Sequence, residues 1–556
     1  MHRHHHHHTQ REGPSDREVE KRNREEDHLL KLWAQESGRR LLNDSKPVRP
    51  TNRDAVKAQL AGLDHQLRQL YKKRLEPHTN ELIASIAKVV ALKTLLMYWL
   101  FPINNLPVEL LQNIISIATK SQPFSQISRT RIVLASVCKH WRSAAIGMSS
   151  LWSVIRVTEQ PPYPLTQISL QRAGTQLVSI CVDQRKPNWS GSEHDHRLQP
   201  GDMQSLMVYI TKGFSQIREL AIFADTWAVI TAAEQVLQRV PPPRSLQRLE
   251  IRRTGSAYVR FEPFGSAPEG VRIPVRLFGG AQAPALNHLT LNGVYADFRS
   301  FRNLRVLEMR KMATEQMPNM KDFFPVLEGS PYLEKLIFHC ACPTLTGPEE
   351  YPAWQDAKVK LTYLRELALC DLLPFYAIFL VRLISAPNLE RLRLERIYPD
   401  DADVNRLITE LCYCQRDKLT ELIIYDLVCN DIPMIASWIG RTSVRRLRVG
   451  KVPDAFFTAL TRRMKAPPIS ARDRQVGLRS VCPWLETCEV PTWDGISFLT
   501  FQMFCIERDE SLRSLVIGQK VWDALRVEER KWLSQSRTRR LHVVPQRFFE
   551  ERDEYE

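Results

Sequence analysis

The stretch "APNLERLRL", Ala386–Leu394, places leucine at 389, 392 and 394, with a proline two residues before the first of them. Its closing alternation of apolar and polar side chains has the period of a strand buried on one face. The same hexad, Leu-x-x-Leu-x-Leu/Ile, recurs down the chain. Clear copies start at Leu304, Leu333, Leu364, Leu389, Leu419, Val444 and Leu512, and weaker ones at Ile217, Leu246 and Leu286. From Leu304 to Val444 successive starts are 29, 31, 25, 30 and 25 residues apart. A short strand fills only part of such a period, so each unit has room for a returning helix or loop. "FYAIFLVRLIS" (375–385) and "DVNRLITELCYC" (403–414) have helical patterns that fit that role.

The rhythm is that of a leucine-rich repeat with a loose period. It predicts an α/β solenoid over residues 159–556, with parallel strands on a concave wall and helices on the convex one. Prolines in "SPYL", "APNL", "APAL" and "CPWL" mark repeat starts, where a strand tolerates a missing N–H. The position that commonly carries Asn after the hexad is Val294, Met312, Leu372, Ile397 or Leu427, so apolar stacking must hold those turns. Strand alternation points the leucines inward. It points Arg248, Glu250, Arg252, Arg391, Arg393, Glu395, Glu421, Ile423, Tyr425, Arg446 and Arg448 outward. Residues 441–479 carry eleven Lys and Arg against Asp454 and Asp473.

At 556 residues and a formal charge of +16, the chain is too long for one core and carries a positive long-range field. The field favours acidic protein, nucleic acid or an anionic surface without choosing among them. The start of the chain is polar and reads as no secretory signal. The longest apolar run, Val89–Phe101, is interrupted by Lys93 and is too short to cross a bilayer, so no membrane is expected. Eleven scattered cysteines, two C-x-C pairs (Cys340/Cys342 and Cys412/Cys414) and no C-x-x-C read as buried reduced thiols of a cytoplasmic or nuclear protein. No metal site is expected. The opening "MHRHHHHHTQ" carries no functional argument, and His194 and His196 read as loop residues.

Residues 1–50 are charged and aperiodic and read as a disordered tail. Over 51–101, Val56, Leu60, Leu63, Leu67 and Leu70 form one helical stripe, and Leu82, Ile86, Val89 and Leu96 another. The pair reads as an α-hairpin or a short coiled coil. Next comes "LPVELLQNIISIA" (106–118), with Pro107 at a helix start, then the polar loop "SQPFSQISRTR". A second helix carries Leu134, Val137, Cys138, Trp141, Ala145 and Met148. Two short helices this apolar need a cover.

Together, "LPVELLQNIISIA" and "LASVCKHWRSAAIGMSSLW" (134–152) resemble an F-box over residues 102–158, departing from it at Ile115 and in a longer inter-helix loop. The arrangement as a whole is similar to the divergent F-box/leucine-rich-repeat proteins. That resemblance implies docking on a Skp-family adaptor, and through it a cullin, by Leu106, Pro107, Leu110, Leu111, Ile114, Ile115, Val137, Cys138, Trp141, Leu151 and Trp152. It also implies that the solenoid holds a protein client for ubiquitination by other subunits.

The sequence contains no phosphate-cradling glycine loop, H-E-x-x-H or G-x-S-x-G, so neither catalytic residues nor a cofactor are expected. Arg391, Arg393, Arg446, Arg448 and Tyr425 are the candidates for binding an acidic or phosphorylated client through guanidinium bonds. The alternative is a solvated face with Glu421 paired to its arginine neighbours. An adaptor-bound scaffold without client turnover would show the same features. A nucleic-acid-binding solenoid fits less well, because Phe456 and Phe457 are the only closely spaced aromatics in the basic segment.

Overall fold

The chain divides between Met148 and Ser149 into two units. The computed structural model describes residues 53–73, 80–100, 106–186, 196–254, 274–313, 316–345, 354, 356–397, 401–413, 418–427, 431–461, 463–465, 478–509, 511–535, 539–545 and 548–549. The expected tail over 1–50, His194, Cys414 and most of the basic run after Thr461 lie outside them.

The first unit is helical. Helices α1 (Arg53–Lys73) and α2 (Asn80–Leu100) pack on each other with Val56, Ile86, Val89 and Leu96 buried, and an ion pair joins Lys93 to Asp64. Helices α3 (Val108–Lys120), α4 (Phe124–Ser136) and α5 (Lys139–Ile146) follow. This corrects the two-helix expectation. The stretch read as a polar loop forms α4, and the stretch read as one second helix breaks at Cys138. That residue has extended backbone, and its Sγ accepts the Trp141 N–H at 3.5 Å, capping α5.

The second unit begins with β1 (Val154–Val157), α6 (Pro164–Ala173), β2 (Val178–Asp183), α7 (Pro200–Thr211), β3 (Ile217–Ala224), α8 (Trp227–Arg239), β4 (Arg248–Arg253), β5 (His288–Asn292) and β6 (Val306–Arg310). It continues through α9 (Met320–Glu328), β7 (Lys335–His339), β8 (Val359–Lys360), β9 (Glu366–Cys370), α10 (Pro374–Leu383), β10 (Ile384–Ser385) and β11 (Arg391–Glu395). Then come α11 (Asp401–Tyr413), β12 (Glu421–Tyr425), α12 (Ile432–Gly440), β13 (Arg446–Gly450), α13 (Asp454–Thr461), β14 (Arg463–Lys465), β15 (Leu478–Ser480) and β16 (Thr487–Val490). The last elements are α14 (Phe498–Glu507), β17 (Ser514–Gly518), α15 (Gln519–Ala524), α16 (Val527–Ser534) and β18 (Arg540–Val544). Among the described residues, fourteen strands form one sheet in sequence order, interrupted only where β8 pairs with β10 and β14 with β15 in two small sheets. Every described pairing in the large sheet is parallel. The fold is therefore α/β, with a helical region followed by a solenoid-like run of β-α units.

Register explains the hexad. Leu249, Leu289, Leu307, Leu336, Leu367, Leu392, Leu422 and Leu447 are direct partners on successive strands, and all are fully buried. Each contributes roughly 1.5–3 kcal/mol of burial. The leucine that opens a hexad lies before its strand. Leu333, Leu389, Leu286 and Leu485 each donate an N–H to the carbonyl three residues back, at 3.1–3.3 Å. The prolines thus occupy the second position of a β-turn, not the first residue of a strand.

A residue with positive φ follows each central strand: Gly293, Lys311, Cys340, Asp371, Arg396, Asp426 and Lys451, with φ from 42° to 65°. From Gly293 to Asp426, the N–H of each reaches the carbonyl of the last strand residue in the next repeat, at 2.7–3.0 Å. Val294, Met312, Leu372, Ile397 and Leu427, one step further on, are buried. Apolar stacking does fill the missing asparagine positions, and this backbone ladder satisfies the polar groups beside them.

The boundary at 148/149 places Leu151, Trp152 and β1 with the sheet, although the sequence groups them with the helices. His196 lies in a loop as expected, but not as an exposed polar residue. It is buried, with its ring 3.1 Å from Asp225, which also accepts from the Lys186 N–H and the Thr254 hydroxyl.

Leu392→Asp should therefore cost at least ~4 kcal/mol, because it buries a charge in the leucine row. Arg391→Met, on the opposite face of the same strand, should stay within about 1 kcal/mol. Arg391→Asp should fall between them, since Arg391 lies between Glu366 and Glu421. Urea melts of the three variants test this order, and equal losses for Leu392→Asp and Arg391→Met would mean the facing is wrong.

Candidate functional site

Two surfaces collect the residues that the sequence singles out. In the helical unit, α3 has an inner and an outer face. Leu111 and Ile115 are buried in the unit, as is Trp141 of α5 at 8% exposure, and the Gln112 side chain donates to the Ala144 carbonyl. Leu110 is 50% exposed and Ile114 38%, and Ile117 continues the same face one turn on. Val108 is exposed at the start of α3, and Ile132, Val133 and Val137 are exposed at the end of α4. Pro107 is exposed just ahead of α3, and Leu106 is half-buried. Exposed apolar side chains are thus concentrated on α3 and at the end of α4.

The implied adaptor set thus splits three ways. Leu110, Ile114, Val137 and Pro107 face outward, with Leu106 beside them. Leu111, Ile115 and Trp141 hold the unit's own interior, and Cys138 is a cap. Leu151 and Trp152 are buried in the second unit, where the Arg172 guanidinium lies 4.3 Å from the Trp152 ring.

The second surface is the sheet face that carries the polar hexad positions. Its first row runs Lys335, Glu366, Arg391, Glu421, Arg446 across β7, β9, β11, β12 and β13, alternating in sign. Lys335 lies 3.5 Å from Glu366 and 3.3 Å from Glu308, while Arg391 lies 3.3 Å from Glu366 and 3.0 Å from Glu421. Arg393 pairs with Glu395 at 2.9 Å, and Arg310 with Glu308 at 3.0 Å.

Arg448 departs most from its outward assignment. It is 4% exposed and pairs with the equally buried Glu489 at 2.8 Å. The fellow candidate Arg446 keeps 41% side-chain exposure and lies 3.6 Å from Glu489. Tyr425 lies across its register partner Gly450, where a Cβ would come within 2.7 Å of the ring. The cations of Arg396 and Lys451 lie 6.0 and 5.8 Å from that ring. Most of these charges are spent within the sheet, which is the solvated-face alternative made more buried.

The sequence gives no warning of Glu489, whose hexad begins with the weak "LETCEV", or of Phe549. The Phe549 ring is 4% exposed and lies 5.4 Å from the Arg448 guanidinium. Two adjacent phenylalanines beyond the last strand are the only signal that was available.

Among the described residues, one cluster has metal-ligand residue types: His339, Cys340 and Asp371, with donor atoms within 4.8 Å of one another. It does not fit a cation. Arg396 donates to both Asp371 oxygens, at 2.5 and 2.6 Å, and His339 Nε2 lies 2.8 Å from the same carboxylate. Burial alone would raise the Asp371 pKa, but these hydrogen bonds hold it far below the carboxylate range. Burial pushes the Cys340 thiol well up, which also argues against an activated nucleophile. Cys181, Cys342, Cys370, Cys482, Cys488 and Cys505 are free and buried, and Cys138 is free and partly exposed.

No protein-family model matches the chain, and no curated protein matches it at a significant level.

Among the described carboxylates, Glu234 on α8 is the one whose pKa is clearly raised. Burial lifts its pKa to about 8, and Oε1 has no hydrogen-bond partner. An unfolded chain would release this proton near pH 4.5. Between those values folding binds a proton, so stability falls as pH rises, by up to about 1.4 kcal/mol per pH unit. Glu234→Gln should flatten that slope between pH 5 and pH 8, as read from thermal melts. A wild-type melting temperature insensitive to the substitution across this range would show that Glu234 finds a charged-state partner.

Proposed function

We propose that the chain is the substrate-recruiting subunit of a Skp–cullin–F-box ubiquitin ligase. Its helical unit would dock on the Skp-family adaptor and its repeat sheet would hold the client. The observation that carries the reading is the exposed apolar face of α3, Leu110, Ile114 and Ile117, with Val137 also exposed at the end of α4, on a unit whose motifs resemble an F-box. Such a face is costly in water and favourable only under a partner's apolar surface. Leu111, Ile115 and Trp141 support the docking by fixing the three helices, and they do not themselves contact the adaptor. The division of labour needs no catalytic group in this chain.

A scaffold bound to the adaptor without client turnover shares the docking step, and turnover of a captured client separates the two. The nucleic-acid reading is weakened by the pairing of the sheet-face arginines with carboxylates, which leaves few cations to displace counterions from phosphates.

Leu110→Glu with Ile114→Glu should reduce affinity for a purified Skp-family adaptor at least 100-fold in calorimetry, because central apolar anchors dominate such interfaces. The sheet unit should melt as in wild type. Trp141→Ala is the wrong probe, since it opens a cavity inside the helical unit. Wild-type affinity in the double variant, or no binding by the wild-type chain, would defeat the assignment.

A further inference from the structure

The buried pair Arg448–Glu489 and the ring against it form a seat on the polar face of the sheet. Its floor is a register row, Ile423, Arg448, Glu489 and Val516, on β12, β13, β16 and β17, with every member buried. The chain leaves the sheet at β18, turns where the Phe548 N–H donates to the Pro545 carbonyl at 2.9 Å, and has Phe549 back at β13. Strands β16 and β17 lie between β18 and β13.

We propose that this seat binds a peptide presenting an aromatic residue followed by acidic ones, and that the chain's own Phe549 segment fills it until such a client displaces it. The chemistry follows from the pair. Glu489 takes up the Nε edge of the Arg448 guanidinium, so what meets a ligand is the planar face, and a planar cation attracts an aromatic ring. Beside it, Arg446 is partly exposed and only loosely paired, which leaves it able to take a carboxylate. The sequence after Phe549 reads Glu550-Glu551-Arg552-Asp553-Glu554-Tyr555-Glu556, five acids against one arginine. The ligand class is thus an aromatic–acidic peptide rather than a phosphate. The inference does not depend on the adaptor reading, because the test uses this chain alone.

The probe is a fluorescein-labelled peptide of residues 545–556, titrated by anisotropy into the full chain. Phe549→Ala should bind it at least tenfold more tightly than wild type, because the seat is vacated. Binding to that variant should weaken at least tenfold when both peptide phenylalanines become alanine, when the peptide acids become amides, or when Arg446→Gln is added to the protein. An unrelated peptide keeping the aromatic–acidic order should bind comparably. Should Phe549→Ala fold poorly, a chain ending at Pro545 should gain melting temperature on addition of the peptide. Equal binding by wild type and Phe549→Ala would overturn the proposal, as would indifference to the peptide's phenylalanines, failure of the unrelated peptide, or no response of the shortened chain.

Discussion

Parallel, in-register stacking governs this molecule. Each strand residue lies about 4.8 Å from its equivalent in the next repeat, so any hexad position becomes a row running across the sheet. A row of leucines is self-reinforcing, and the row from Leu249 to Leu447 leaves no gap. A row of like charges would repel along its whole length. The first outward row therefore alternates Lys335, Glu366, Arg391, Glu421 and Arg446, and no two like charges are adjacent. The same rule operates beyond the strands, where Asp371 holds Arg396 and Asp426 holds Lys451.

This constraint changes what the net charge means for function. A chain at +16 looks like a broad electrostatic surface, yet the sheet-face arginines are largely committed to carboxylates on the same or the next strand. Breaking a buried pair from one side leaves the partner uncompensated, so these charges resist being recruited by a ligand. If this face holds a ligand, the uncommitted charge it would meet lies where the alternation lapses. Arg446 is such a place, because its neighbour across β16 is Thr487 and its nearest carboxylate on that side comes from the row beneath.

The hexads made the fold legible because period and burial are local properties. All seven clear copies became strands of the sheet, as did the three weak ones. Strands β2 and β18 escaped notice for different reasons. Strand β2 is buried on both faces and lacks alternation, while β18 lies at the sheet edge with only partial burial. The missed helix α4 has a polar sequence, "FSQISRTRIVLAS", with little apolar periodicity to announce it. The candidate sites were less legible. Alternation says which way Arg448 points but not that Glu489 and Phe549 converge on it from residues 41 and 101 positions later. Those contacts depend on strand order, which only the assembled sheet supplies.

The two surfaces also differ in how specificity can arise. The face of Leu110, Ile114 and Val137 offers area without direction, so complementary shape must supply selectivity, and a single rigid partner suits it. The seat at Arg448 offers the opposite: a small area with fixed orientation, set by a buried ion pair that cannot turn without losing Glu489. A surface of that kind discriminates among ligands by the placement of one ring and one carboxylate, and it tolerates variation elsewhere in the peptide. On the proposed reading, the apolar face would suit one lasting partner and the polar seat exchangeable ones, the first carried by short helices and the second by a register-locked sheet.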